Sequence, residues 1–470
     1  MTPHITLVCV GTELLRGKIN THASDIALAL QKIGLSLGSE STTRDDPSEM
    51  RLTFSQAFQR SDVLLVTGGL GPTFDDITRE IISEIAGRAL VRNSGIVRWL
   101  KAHFRKARVP FSKTVLREAD ILQGARVLIN HAGTAPGQIL EIPTGNRQLA
   151  IGNTADCPLP TARIIVLLPG PAREMRPMLE KQVLPFLKNR FVRGAVETRE
   201  YHWAGVPESE VDQRLRPLIS SCHPERSEGS KSQILRSAQN DSNVSLDYTI
   251  LAGLGLVDFY ITSRGNSRAK LIRALVQFDR QIPRSLRKQL YSTHCRGLTY
   301  EVGKLLTQRK QTVSVAESCT GGGVGEHLTQ VPGSSRYFLG GVIPYSNTMK
   351  EQLLGVDGRI LKKEGAVSES VAKQMALGAQ DRFGSDWAVS VTGVSGPGGG
   401  TVDKPVGTVW IAVAGPSSRA FGKQAGLRGK IVAVRRYPFS GERAAVRERS
   451  INKALQFLWE NLRSGNLKNV

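Results

Sequence analysis

Residues 312–328 constrain the fold more than any other stretch of the chain. Thr312-Val313-Ser314-Val315-Ala316 reads as a short buried strand. It runs through Glu317 into Ser318 and the cluster Gly321-Gly322-Gly323, and residues 324–328 read as the start of a helix. A hydroxyl therefore sits at a strand-to-helix turn surrounded by bare main-chain N–H groups. Glycine lets a ligand approach the backbone closely, and a helix N-terminus favours negative charge. Such a turn suits a phosphate or the oxyanion of an acyl-transfer step. A serine hydroxyl alone is a weak nucleophile and needs a base from elsewhere. Lys350, in the first turn of a helix capped by Ser346, is the candidate. Taken singly, a serine at such a turn is usually an N-cap, and a helix lysine is usually a solvated charge.

The same strand–helix alternation recurs along the chain and predicts an α/β fold with parallel strands and helices on both faces. At the N-terminal end, strands are expected over 5–10 and 62–67 and helices over 23–33 and 47–60, the second opened by Asp46-Pro47-Ser48-Glu49. Strand 62–67 leads into Gly68-Gly69-Leu70-Gly71-Pro72-Thr73-Phe74-Asp75-Asp76 and then a helix. A loop at the carboxyl end of a parallel strand is where ligands bind. Thr73 and Asp76 also have capping-box spacing. A last N-terminal strand is expected over 164–168. Residues 172–292 mix short strands and helices as a small α+β module, and α/β alternation resumes from 293. The expected architecture is thus two α/β domains, 1–171 and 293–470, joined by the module 172–292. In the later domain a strand is expected over 341–345. Ser368 should cap a helix over 369–383, with Val371, Ala372, Met375, Ala376 and Ala379 on its buried face.

Residues 222–241 are polar, aperiodic and out of place in the module, and read as a disordered surface insertion in which Cys222 and His223 have no metal role. The five cysteines are scattered without any C-x-x-C pair, which argues against a disulfide framework or zinc site and for a reducing cytoplasm. No apolar run is long enough to span a bilayer, and the first residues do not read as a signal peptide. The net charge of +22 raises the question of a nucleic-acid partner. The charges are interspersed at helical spacing, without an interleaved aromatic pattern, so a solvated basic surface is expected and nucleic acid is not.

Several separated motifs together resemble the nicotinamide mononucleotide deamidase domain of the competence/damage-inducible protein A (CinA) family. They are Ala316-Glu317-Ser318-Cys319-Thr320-Gly321-Gly322, Val331-Pro332-Gly333-Ser334-Ser335, Tyr345-Ser346-Asn347 with Lys350, and Gly365-Ala366-Val367-Ser368. Thr392-Gly393-Val394-Ser395-Gly396-Pro397-Gly398-Gly399-Gly400, Lys404-Pro405-Val406-Gly407 and Phe439-Ser440-Gly441-Glu442-Arg443 complete the set. The Gly68–Asp76 loop resembles the molybdopterin-binding domain of the MoaB/MogA kind, in the CinA variant. The order of domains resembles full-length CinA, with a KH-like module between them. Gly253-Leu254-Gly255 does not supply the G-x-x-G loop by which a KH module grips RNA. Departures from the family pattern are His22 after Asn20-Thr21, the 222–241 insertion, and a longer, more basic stretch over 415–435.

The resemblance implies a Ser/Lys amidohydrolase with a pyridine mononucleotide as substrate and no cofactor. Ser318 would be the nucleophile and Lys350 the base, with the hydroxyls of Tyr345 and Thr392 orienting lysine or substrate. Substrate-binding positions would be Thr320, Gly321, Gly322, Ser346, Asn347, Gly393 and Gly396, with loops 321–323 and 396–400 donating N–H groups. Cys319 beside Ser318 is expected to be a packing residue. For the N-terminal domain the resemblance implies a metal-dependent pyrophosphatase acting on ADP-ribose. Gly68, Gly69, Gly71 and Thr73 would form its nucleotide loop, and Asp75, Asp76 and Asp45 would hold a divalent cation. A cytoplasmic homodimer without a membrane partner is expected.

Overall fold

The protein is described here by a computed structural model covering residues 3–143, 162–220, 244–294, 297–416 and 430–464. The expected insertion at 222–241 and most of the basic stretch 415–435 lie outside these residues. The chain divides into two compact units. One comprises Met1–Thr198, Ser242–Ser245 and Thr262–Arg273; the other comprises Arg199–Asp241, Leu246–Ile261 and Ala274–Val470.

The first unit contains strands β1 (Ile5–Val10), β2 (Leu37–Thr43), β3 (Val63–Thr67), β4 (Leu90–Arg92), β5 (Asp120–Leu122), β6 (Arg126–Leu128), β7 (Gly137–Pro143) and β8 (Ala162–Leu168). Its six-stranded sheet runs β2-β1-β3-β8-β7-β6. Strands β1 and β3 are buried from end to end, because helices cover both faces of the sheet. Alternate residues of β1 accordingly fall into different cores. Ile5, Leu7 and Cys9 join Ile26, Leu30 and Met175, while Val8 and Val10 join Met50, Phe54 and Ile81. Helix Pro47–Arg60 starts where expected, and the Asp46 carboxylate accepts from Ser48 N and Glu49 N. The sheet is mixed, not wholly parallel. β1, β2, β3 and β8 are parallel, but β7 and β6 run antiparallel. The link from β6 to β7 is too short for the crossover that a parallel neighbour requires.

Strands β9 (Ala195–Ala204), β10 (Val244–Ala252), β11 (Leu256–Gly265) and β12 (Leu290–Ser292) form a four-stranded sheet, order β10-β11-β9-β12. Within the second unit Tyr201, Trp203 and Phe259 pack with Leu275, Phe278 and Leu286 in one aromatic core. The remaining strands are β13 (Val313–Glu317), β14 (Phe338–Val342), β15 (Trp387–Gly393), β16 (Thr408–Pro416) and β17 (Lys430–Pro438), in the order β14-β13-β15-β16-β17. β13 is parallel to both neighbours, and β16 and β17 complete the sheet antiparallel.

The two faces of this sheet are built differently. Val313, Val315, Val389, Val391, Ile411 and Val413 pack against helices Gly297–Arg309 and Arg443–Ser464. The opposite face offers Ala316, Ala388, Ala412 and Ala414, whose small side chains admit helix Glu369–Phe383. That helix buries Val371, Ala372, Met375, Ala376 and Ala379, as its spacing predicts, and Ser368 Oγ accepts from Val371 N. The strand expected over 341–345 lies instead at Phe338–Val342. Pro344 cannot donate to a ladder, so residues past Val342 leave the sheet, and their carbonyls become available to the site described next.

Candidate active site

β13 ends on the turn that carries Ser318. Ser318 N donates to Val391 O at 2.9 Å, which fixes the serine beside the carboxyl end of β15. Its side chain is nearly buried, at 9 % exposure. Gly322, with φ +97°, occupies the left-handed region that reverses the chain, and helix Gly323–Thr329 follows. Lys350 lies in helix Asn347–Leu354, whose N-cap Ser346 accepts from Met349 N at 3.2 Å.

The side-chain nitrogen Nζ of Lys350 reaches Ser318 Oγ at 3.2 Å, Pro344 O at 2.9 Å and Tyr345 O at 3.2 Å. Lys350 is 1 % exposed, and among the described residues no carboxylate pairs with it. Burial therefore pushes its pKa down from the ordinary lysine value. The three contacts fit either protonation state. An ammonium donates to all three oxygens, whereas a neutral amine donates to the Pro344 and Tyr345 carbonyls, which only accept, and turns its lone pair to the Ser318 hydroxyl.

Other expected site residues surround this pair but contact it differently. The Tyr345 ring is exposed and its hydroxyl accepts from Arg443 Nη2 at 3.2 Å, so Tyr345 touches Lys350 through its carbonyl, not its hydroxyl. Thr392 is buried and donates to Ala366 O at 2.8 Å. Orientation of Lys350 thus falls to main-chain oxygens instead of the two hydroxyls. Gly393 sits where a Cβ would come within 2.8 Å of Thr408 O, a packing requirement of β15 against β16. Ser346 and Asn347 are exposed at the start of the lysine helix.

The N–H groups of Gly321, Gly322 and Gly323 are not free. They donate to Ser318 O, Glu317 Oε2 and Thr320 O at 3.2, 3.1 and 3.3 Å. The expected donation from loop 321–323 to a ligand is therefore replaced by bonds internal to the turn. Thr320 differs: it is fully buried and its hydroxyl has no partner among the described residues. Burial pushes the Cys319 thiol up to about 11, which keeps it protonated and inert, and it packs in the core.

Two arginines that sequence reasoning did not assign complete the site. Arg443 Nη1 donates to Gly396 O and Arg447 Nη2 to Thr320 O, each at 2.8 Å. They stand one turn apart on helix Arg443–Ser464, and no carboxylate pairs with either among the described residues. Arg443 closes the Phe439–Arg443 motif, which was its available signal; Arg447, four residues on, falls among the interspersed basic charges expected to form a solvated surface.

The N-terminal loop has a different outcome. Gly68 takes φ +100°, and a Cβ there would collide with the Val10 carbonyl. Thr73 N donates to Asp76 Oδ2 at 3.0 Å and the Thr73 hydroxyl bonds to the same oxygen. This closes a turn; helix Thr78–Ala86 begins later. Asp45 Oδ2 accepts from Thr12 N and Thr12 Oγ1, both at 2.8 Å, and Asp75 is exposed. Gly69 and Gly71 pack against Thr78 and Asp76. Among the described residues no group of three or more His, Cys, Asp or Glu side chains is placed to hold a metal. Asp45 and Asp76 are thus already engaged by threonines, and no step is derived through a cation.

The same unit buries Glu118, whose Oε1 accepts from Thr134 Oγ1 at 3.2 Å and whose Oε2 has no partner among the described residues. Desolvation raises its pKa from 4.5 to about 7, against smaller opposing effects of Thr134 and Arg79. The unfolded chain loses this proton near 4.5 while the folded chain keeps it to about 7, so stability falls as pH rises through that window. Glu118→Gln should remove the fall. The stability of the variant relative to the wild type should grow by about 1–3 kcal/mol between pH 4.5 and 8 in urea unfolding. Parallel pH profiles would contradict the assignment.

The fold and the paired Ser318 and Lys350 define a protein with α/β units at both ends, the C-terminal one carrying a serine at a strand-to-helix turn. Residues 6–189 match the family described as probable molybdopterin binding domain, and residues 296–462 match the CinA C-terminal domain. A CinA-like protein of Endomicrobium trichonymphae is 34 % identical over 460 residues, covering 97 % of this chain and 98 % of that one. One from Thermosynechococcus vestitus is 35 % identical over 460 residues, with the same coverage of 97 % and 98 %. The crystal structure of the competence/damage inducible protein CihA from Agrobacterium tumefaciens is 35 % identical, spans 34 % of this chain and 91 % of its own, and aligns with a TM-score of 0.31. The chain belongs to the CinA family. No helix among the described residues is long and apolar enough to cross a membrane.

Proposed function

We propose that the second unit hydrolyses the carboxamide of nicotinamide mononucleotide, giving nicotinate mononucleotide and ammonia. The observation that carries this reading is the buried Lys350 amine 3.2 Å from Ser318 Oγ, with main-chain carbonyls as its other partners. Ser318 Oγ attacks the carboxamide carbon and its proton passes to Lys350 Nζ. The tetrahedral oxyanion is assigned to Thr320, whose buried hydroxyl lacks a partner among the described residues. The C–N bond then breaks as Lys350 returns the proton to the departing ammonia, leaving an ester on Ser318. Water attacks the ester with Lys350 again as base, the ester C–O bond breaks, and the proton returns to Ser318.

The 5′-phosphate is assigned to the arginine pair and the 396–400 loop. Arg443 and Arg447 are cations without carboxylate partners, and the N–H groups of Gly398, Gly399 and Gly400 make no hydrogen bond among the described residues. Arg443→Ala should raise KM for the mononucleotide about tenfold or more and leave kcat nearly unchanged, the signature of lost ground-state binding. Equal loss in kcat would place Arg443 in the chemical step instead. The reading as a whole is tested by ammonia release from nicotinamide mononucleotide, with nicotinamide riboside as the comparison. Preference for the phosphorylated compound supports it, and absence of release from either compound refutes it.

A further inference from the structure

We infer that Glu317 is a positioning residue for the nucleophile turn, its carboxylate acting as the fixed internal anion of that turn. The inference rests on the amidase reading above. Glu317 is the last residue of β13, directly before Ser318, and is 1 % exposed. Oε2 accepts from Gly322 N at 3.1 Å and Val324 N at 3.0 Å, and Oε1 accepts from Gly325 N at 2.8 Å. Among the described residues no Lys, Arg or His pairs with it.

A buried carboxylate without a cation is costly unless N–H donors saturate it. Here three main-chain donors at the start of helix Gly323–Thr329 do so, with the favourable end of the helix dipole behind them. Only a carboxylate fits. Glutamine would turn its NH2 group toward either the Gly325 N–H or the Gly322 and Val324 pair, donor against donor.

Two consequences follow for the site. The turn is tied at positions 322, 324 and 325, which holds the Ser318 hydroxyl at its distance from Lys350. The helix N-terminus is also already neutralised, so a substrate phosphate is excluded from it and directed to the arginines. An error of about 1 Å in such a turn is enough to cost on the order of a hundredfold in rate.

Glu317→Gln and Glu317→Ala separate this role from a general contribution to folding. For Glu317→Gln we expect kcat for ammonia release to fall about tenfold to a hundredfold with KM nearly unchanged. Backbone amides of Gly322, Val324 and Gly325 should exchange with solvent faster, while those of β13 and β15 stay protected. For Glu317→Ala, added formate should restore part of kcat, with no such effect on the wild type. A Glu317→Gln enzyme within twofold of wild-type kcat, or with unchanged exchange at the three amides, overturns the inference. So does a loss of protection spread evenly over the unit. If the wild type releases no ammonia, the amidase reading fails, and the exchange measurement still decides whether Glu317 holds the turn.

Discussion

Ser318→Ala should lower kcat for ammonia release from nicotinamide mononucleotide by at least about a thousandfold, with KM little changed. In the proposed mechanism this hydroxyl is the atom that bonds to the substrate carbon, so no neighbour can replace it. Cys319 is adjacent, but burial holds its thiol protonated, with a pKa of about 11, so it offers no substitute nucleophile. The fold should be unaffected. The substitution removes one hydrogen-bond partner of Lys350 and an oxygen from a nearly buried position, a change of about 1 kcal/mol. Thermal unfolding of the variant within a few degrees of the wild type would show that the loss is chemical. Residual activity above about a tenth of wild type would mean that water is activated directly and that no ester forms on residue 318.

Lys350→Ala should cost about a hundredfold or more. Lys350→Met keeps most of the side-chain volume and tests the amine without opening a cavity. Lys350→Arg should be as inactive as either, since a guanidinium stays charged at any working pH and cannot accept the serine proton. The pH dependence has a defined sign. The base works only when neutral, and burial lowers its pKa below the ordinary 10.5. Activity should therefore rise with pH through a midpoint below that value and then level off. A limb that keeps rising to the ordinary lysine range would show an amine open to water, contrary to its 1 % exposure.

Much of this was legible in the sequence, for identifiable reasons. β13 and the helix after it follow from a β-branched run broken by glycines, and helices Pro47–Arg60 and Glu369–Phe383 from Asp46 and Ser368 as caps. Each of these signals is local. What was not legible depends on pairing at a distance. Antiparallel β7, β16 and β17 look like any other apolar strand until their neighbours are known. Glu317 was visible only as part of a motif; that its carboxylate takes the N–H groups of the glycine turn requires the turn itself. Arg443 closes the Phe439–Arg443 motif, which by itself gives it no role, and Arg447 carries no mark that separates it from the other cations of a basic helix. The N-terminal aspartates show the reverse case. Asp75 and Asp76 are adjacent and Asp45 lies near another loop, but Asp76 is bonded within its own turn to Thr73 and Asp45 is bonded across to Thr12 in the loop after β1.

A double-mutant cycle on ammonia release tests the central claim most directly, with wild type, Ser318→Ala, Lys350→Ala and the double variant measured under one condition. If the Lys350 amine acts by activating the Ser318 hydroxyl, the double variant should be no slower than the slower single variant, because either removal abolishes the same step. If the two losses multiply, each residue acts without the other, and the pairing at the centre of this account is wrong.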